Sequence, residues 1–197
     1  MQRRNFLLGL GWMAMLGWCW GQSGPEQMAS LLLGDRVEQV PPETLADLRR
    51  IFVYAFDGRT IPKGYFHPDP REVTGPFQVG DLEISAFRLP HGRMQTLGYL
   101  FRQNGHRRLA YLSDCREIPD AAIPELRGTD VVILDALRKQ PHPTHMCLDE
   151  ALTAARRLGA ERSYLTHLTH DYDHDVDQAE LPGGVFLAYD GLKVDVS

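Results

Sequence analysis

Apolar and polar residues alternate with a strand-like period from about residue 77 onward. Two such runs, 98–102 and 108–113, flank Asn104-Gly105, a two-residue turn signal that predicts a β-hairpin. The run 131–134 is apolar throughout, which is typical of a central strand with both faces covered. The pattern therefore predicts a β-sheet at the centre of this part of the chain.

Helical spacing marks the elements that would cover this sheet. Apolar residues between 148 and 158 lie on one face of a predicted helix, which Gly159 would end. Shorter helices are predicted from Pro42 and near 120–127. Further strands are expected at 82–89, 163–165, 185–188 and 192–196. Strands interspersed with helices indicate an α/β fold, a mixed β-sheet with flanking helices.

Residues 1–22 differ in character from the rest of the chain. Arg3-Arg4 precede an apolar run over 6–20, which resembles a secretory signal and is short for a membrane span. Trp18 and Trp20 are bulky where signal cleavage requires small side chains. The alternatives are an uncleaved anchor and an N-terminus that is not the native one.

The composition is that of one globular domain, with 197 residues, 43% hydrophobic and 24% charged. A net charge of -5 argues against a general nucleic-acid surface. The three cysteines are odd in number and widely spaced, which favours a reducing compartment. We expect residues 23–40 to be a linker and 41–197 the domain. A cytoplasmic location is favoured, with export or membrane tethering through residues 1–20 as the alternative.

Three residues of metal-ligand type each follow directly after an apolar strand: His91, Asp114 and His167. A fourth, His145, precedes the predicted helix over 148–158. Two imidazoles and one carboxylate match the ligand count of an open catalytic zinc site. Because ligands of α/β sheets gather at strand ends, we expect the first three side chains to share one rim. The plain alternative for any one of them is a solvated loop residue.

These residues fall within an ordered set of motifs that resembles the metallo-β-lactamase superfamily. The similarity is to its branch of small phosphodiesterases, which includes the cyclic phosphodiesterase of phosphonate breakdown and, more distantly, the tRNA 3′-end-processing ribonucleases. It extends from about residue 43 to residue 196. The motifs are Leu89-Pro90-His91-Gly92, Tyr111-Leu112-Ser113-Asp114, Leu134-Asp135-Ala136-Leu137-Arg138, Pro141-His142-Pro143-Thr144-His145, Leu165-Thr166-His167-Leu168-Thr169-His170-Asp171 and Ala188-Tyr189-Asp190-Gly191-Leu192.

The resemblance implies a role for each matching position. His91 would bind one metal, His167 a second, and Asp114 would bridge the two. His145 matches the histidine held near the scissile phosphate, a candidate general acid or phosphate contact. The activity implied is hydrolysis of a small phosphodiester by a hydroxide that two divalent metals, zinc or manganese, activate. Stable nucleic-acid binding is not expected.

Three further polar residues are weaker candidates. Asp135 would either steady a ligand histidine or cap its strand. His170 would lie near the metals or substrate, or simply in the loop. Arg138 would contact a phosphate or, more simply, form a surface ion pair.

The superfamily's first metal motif, His-x-His-x-Asp-His, has no counterpart, because no histidine precedes His67. The resemblance therefore implies an incomplete αββα sandwich, its C-terminal portion, with one metal or none and doubtful activity. A sheet that lacks its partner lobe would expose an apolar face or edge. The alternative function is thus a non-catalytic half-domain that associates with a second copy or with a complementing chain.

Overall fold

The computed structural model describes the backbone of residues 5–7, 39–40 and 71–72, and backbone and side chains of 42–57 and 74–196. The chain divides into two compact units, residues 1–14 with 76–197 and residues 15–75. The predicted signal-like segment and linker lie largely outside the described residues. Within the part that is described, no helix combines the length and the apolar character needed to cross a membrane.

The described residues form eleven strands and five helices, numbered along the chain. The strands are β1 (Asn5–Leu7), β2 (Gln39–Val40), β3 (Arg71–Glu72), β4 (Phe77–Val79), β5 (Leu82–His91), β6 (Met94–Gln103), β7 (His106–Leu112), β8 (Val131–Asp135), β9 (Arg162–Thr166), β10 (Val185–Leu187) and β11 (Lys193–Asp195). The helices are α1 (Pro42–Ile51), α2 (Val53–Phe56), α3 (Ile123–Leu126), α4 (Leu148–Leu158) and α5 (His174–Glu180).

The larger unit is built on a seven-stranded mixed sheet of order β10-β9-β8-β7-β6-β5-β4. Strands β4 to β7 pair antiparallel, and β7 to β10 pair parallel. The predicted hairpin is confirmed as the β6–β7 pair, turning at Asn104 and Gly105 with φ of 52° and 79°. Both values are positive, as a two-residue hairpin turn of this sequence requires.

Strand β8 is an interior strand of this sheet, between β9 and β7, and is buried along its whole length. Val132 and Leu134 belong to a core on one face of the sheet, whereas Val131 and Ile133 belong to a second core on the other face. Because successive side chains of a strand point to opposite faces, an uninterrupted apolar run is required where both faces are covered.

Helix α4 covers the first face with small side chains and one leucine. Ala151, Ala154, Ala155 and Leu158 are its buried residues, and Gly159 ends it with φ of 62°. The expected apolar face and the glycine stop are thus confirmed. The predicted helix over 120–127 is shorter in the structure, since α3 begins only at Ile123. Proline is tolerated in the first turn of a helix, so Pro124 restricts how far upstream α3 can start.

The last two strands of the larger unit do not pair with each other across Asp190-Gly191. β10 extends the main sheet parallel to β9. β11 pairs antiparallel with β1 in a two-stranded sheet. In the smaller unit, β2 and β3 form a parallel pair, and α1 buries Leu45.

Candidate metal centre

Strands β5, β7, β8 and β9 all run in the same direction, because β5 and β7 are each antiparallel to β6 and β7 to β9 are mutually parallel. Their carboxyl ends therefore meet at one edge of the sheet. His91 is the last residue of β5, Asp114 follows β7 by two positions, and His167 follows β9 directly. Strand direction alone thus brings the three predicted ligands to a common edge.

The side chains of His91 and His167 both approach Asp114. His91 Nε2 lies 3.0 Å from Asp114 Oδ1, and His167 Nε2 lies 3.9 Å from the same oxygen. Their side chains are 23%, 15% and 21% exposed for His91, Asp114 and His167, so the cluster is open to solvent on one side. The proximity expected from the sequence is therefore present, and the ligand roles remain a prediction.

Backbone conformation sets Asp114 and His167 apart. Both adopt left-handed φ values, 57° and 63°, which non-glycine residues rarely use. Such a conformation costs about 1 to 3 kcal/mol and persists only where the surroundings enforce it. Thr96 Oγ1 donates to the carbonyl of Asp114 at 2.8 Å, and Thr169 N donates to Leu137 O at 2.8 Å just beyond His167. Strain at two predicted ligands is typical of a functional site.

His145 lies beside this cluster and is held by a buried carboxylate. Its Nδ1 lies 2.8 Å from Oδ2 of Asp135, a residue with 0% exposure. The same oxygen accepts from Cys115 N at 2.9 Å, and Oδ1 accepts from Leu137 N at 3.0 Å. Asp135 therefore both steadies a histidine and satisfies backbone donors at the end of its strand.

The electrostatics of the cluster favour a proton on His145. Burial lowers the pKa of His145, but the hydrogen bond and charge of Asp135 and the charge of Asp114 outweigh it, so its pKa is raised above the usual value. The His142 ring lies 5.0 Å from the His145 ring, and burial, followed by the charges of His145 and Arg138, lowers the pKa of His142. Both shifts favour protonation of His145 over protonation of His142.

The donor set fits a divalent cation. Ligand atoms of His91, Asp114 and His145 all lie within 4.8 Å of one another. Imidazole nitrogen and carboxylate oxygen together suit zinc, manganese or iron. These donors also converge on a single point at the open end of the sheet, where a cation would offset the Asp114 charge.

Two weaker candidates do not join the cluster. The His170 side chain is 97% exposed, and its ion-pair contact is to Asp171 at 3.8 Å. Arg138 donates from Nε to Gln140 O at 3.2 Å and from Nη2 to Pro141 O at 2.6 Å. Its guanidinium therefore holds the loop before His145 through backbone carbonyls.

The sequence pattern missed two contributors to the site. Thr96 lies within β6, where no local signal distinguishes it from an ordinary strand residue. Gly92 follows His91 with φ of 62°, and a Cβ there would lie 2.7 Å from Cγ2 of Thr144. Glycine at this turn therefore lets the loop that carries His145 approach the end of β5. The place of Gly92 directly after His91 in its motif is the sequence feature from which this role could have been predicted.

One protein family and several solved structures match this chain. Residues 26–168 match the model of the family described as Beta-lactamase superfamily domain. A diphosphatase from the PhnP family shares 32% identity and a TM-score of 0.70 over 81% of this chain and 58% of its own. The short form of human tRNase Z shares 17% identity and a TM-score of 0.57 over 81% of this chain and 67% of its own, a likeness in fold alone.

The chain also aligns with a short part of a much longer protein. An octanoyltransferase of Porphyromonas gingivalis (strain ATCC BAA-308 / W83) is 32% identical over 120 residues, which are 60% of this chain and 23% of that protein. The chain therefore spans just over half of the diphosphatase and less than a quarter of the octanoyltransferase. The family match covers most of the chain, and the chain belongs to the metallo-β-lactamase superfamily.

Proposed function

We propose that this chain is a divalent-metal-dependent hydrolase that cleaves a small phosphodiester. The observation that carries the proposal is the convergence of His91, Asp114 and His167 at the carboxyl edge of the sheet. Left-handed backbone at two of these residues supports it, since such strain is retained mainly at functional sites.

A divalent metal bound at this edge supplies Lewis-acid polarisation of a phosphoryl oxygen and an activated water nucleophile. The chain's own residues prepare the place for both. Asp114 contributes a carboxylate oxygen nearest the point of convergence, while the imidazoles of His91 and His167 contribute nitrogen donors. The partial exposure of all three side chains leaves an open side from which a phosphodiester can approach.

A phosphorus atom is the substrate electrophile that we propose. The solved relative with 32% identity is named a diphosphatase, and this name denotes cleavage at phosphorus. A net charge of -5 does not favour a long polyanion such as nucleic acid, which supports a small substrate instead. Zinc and manganese are the metals proposed, because both accept nitrogen and oxygen donors.

The test uses the full chain, freed of metal and then supplied with Zn²⁺ or Mn²⁺ and bis(p-nitrophenyl) phosphate. Release of nitrophenolate is expected, and His167→Ala should abolish it. The matched control is His106→Ala, which alters an exposed histidine at the opposite end of β7 from Asp114. Turnover by the unaltered chain that does not exceed the His167→Ala background would overturn the proposal.

The alternative proposal is a half-domain that associates with another copy or with a complementing chain. It is favoured by exposed apolar side chains on the two outermost strands, Val79 of β4 at 55% and Phe186 of β10 at 37%. Light scattering of the full chain distinguishes the two proposals. A folded monomer that binds no ANS would argue against association.

A further inference from the structure

The free ring nitrogen of His145 points into the cluster. Its Nδ1 is engaged by Asp135, and its Nε2 lies 3.2 Å from Nε2 of His91. His91 Nε2 in turn lies 3.0 Å from Asp114 Oδ1. Donors that occupy adjacent positions about 2.0 to 2.2 Å from one tetrahedral ion are about 3.3 to 3.6 Å apart. Both observed separations are a few tenths of an ångström shorter, so a slight outward movement of the side chains would let these donors surround a single cation.

We propose that His145 is a metal ligand in this chain, so that one cation is held by His91, Asp114 and His145, with His167 Nε2 3.9 Å from the Asp114 oxygen. The resemblance to the superfamily assigns His145 a place beside the phosphate instead. The His145 ring stacks on the His167 ring at 4.9 Å, with an angle of 21° between the planes. Imidazole lone pairs lie in the ring plane, so two nearly parallel stacked rings do not direct them at one ion, and His167 is not counted among its donors. The centre holds one ion per chain.

Asp135 is the positioning residue of this centre. By accepting from Nδ1 it fixes the tautomer in which Nε2 is free to bind metal, the usual arrangement for a ligand histidine. The inference rests on the proposed metal dependence, and it requires no particular substrate.

The experiment measures metal stoichiometry and affinity of the full chain by equilibrium dialysis with Zn²⁺, beside the variants His145→Gln and His106→Ala. One ion per chain is expected. Loss of a ligand should weaken binding at least about tenfold in His145→Gln, whereas His106→Ala should bind as the unaltered chain does. Circular dichroism establishes that each variant is folded.

A second measurement needs no variant at position 145. Long-range ¹H–¹⁵N correlation of the imidazoles in the chain with and without Zn²⁺ reports the state of each ring nitrogen. The expected result is a shift at Nε2 of His145 on zinc addition, while its Nδ1 keeps the proton. An unchanged His145 spectrum in the zinc-loaded chain would overturn the inference, even where His145→Gln does not fold.

The outcomes separate the two proposals. Two ions per chain, or full affinity in a folded His145→Gln, would overturn the three-donor centre and leave the proposed hydrolase intact. One ion bound through His145 without nitrophenolate release would support the centre and overturn the hydrolase. Failure to bind any zinc, manganese or iron would overturn both.

Discussion

Replacement of Asp135 by asparagine tests the site most sharply, because this carboxylate contacts both backbone N–H groups of the fold and His145 of the proposed metal centre. Its two oxygens accept from Cys115 N, Leu137 N and His145 Nδ1. Asparagine offers one oxygen, so in either orientation its NH₂ group faces an N–H donor. We expect Asp135→Asn to reduce metal affinity about 10- to 100-fold. That range corresponds to about 1.4 to 2.8 kcal/mol.

The same substitution should also lower the stability of the metal-free chain. A buried donor left without its acceptor costs about 1 to 3 kcal/mol, and Asp135 is 0% exposed. Urea unfolding measures this loss, and competition with a chromophoric chelator measures metal affinity. The control is Asp130→Asn, which precedes β8 at its opposite end and accepts from Arg108 at 2.9 Å with a side chain 30% exposed. Metal affinity within about twofold of the unaltered chain in a folded Asp135→Asn would refute the role assigned to Asp135.

Three further predictions concern the fold around the site. Gly98→Ala should destabilise the chain by about 1 to 3 kcal/mol in urea unfolding, since overpacking is costly; the new Cβ would lie 2.7 Å from Cδ2 of Leu112. An unchanged midpoint would contradict this. The hydrogen bond from Lys139 holds the pKa of Asp177 in the folded chain below its usual value. This ion pair therefore stabilises the folded chain fully above the pKa that Asp177 has when unfolded. The stabilisation is lost as the pH falls through the lower pKa of the folded chain. When the pH is lowered from about 6 to about 2, the free energy of unfolding should therefore fall less in Asp177→Asn than in the unaltered chain. Equal decreases in the two chains would count against the ion pair. Burial, aided by the charge of Asp135, raises the pKa of the Cys115 thiol, so iodoacetamide should label Cys115 only after denaturation, as read by peptide mass spectrometry. Rapid labelling of the native chain would be inconsistent with that burial.

Local patterns were sufficient for most elements of the larger unit. The Asn104-Gly105 turn predicted the β6–β7 hairpin, and Gly159 predicted the end of α4, because both depend on a backbone conformation available to few residue types. The pairing of the last two strands could not be inferred in this way. β10 and β11 find their partners in β9 and β1, which are distant in sequence from the Asp190-Gly191 turn.

By itself the sequence determined the residue types at the strand ends, the α/β class and the superfamily, since each follows from short motifs and their order. Only the tertiary structure decided that β5 and β9 end at the same edge, because strand order in a sheet depends on contacts between distant segments. It also decided the rotation of the His145 ring between Asp135 and His91. Side-chain direction in a loop is set by the partners that surround it, and a linear pattern of residues does not contain those partners.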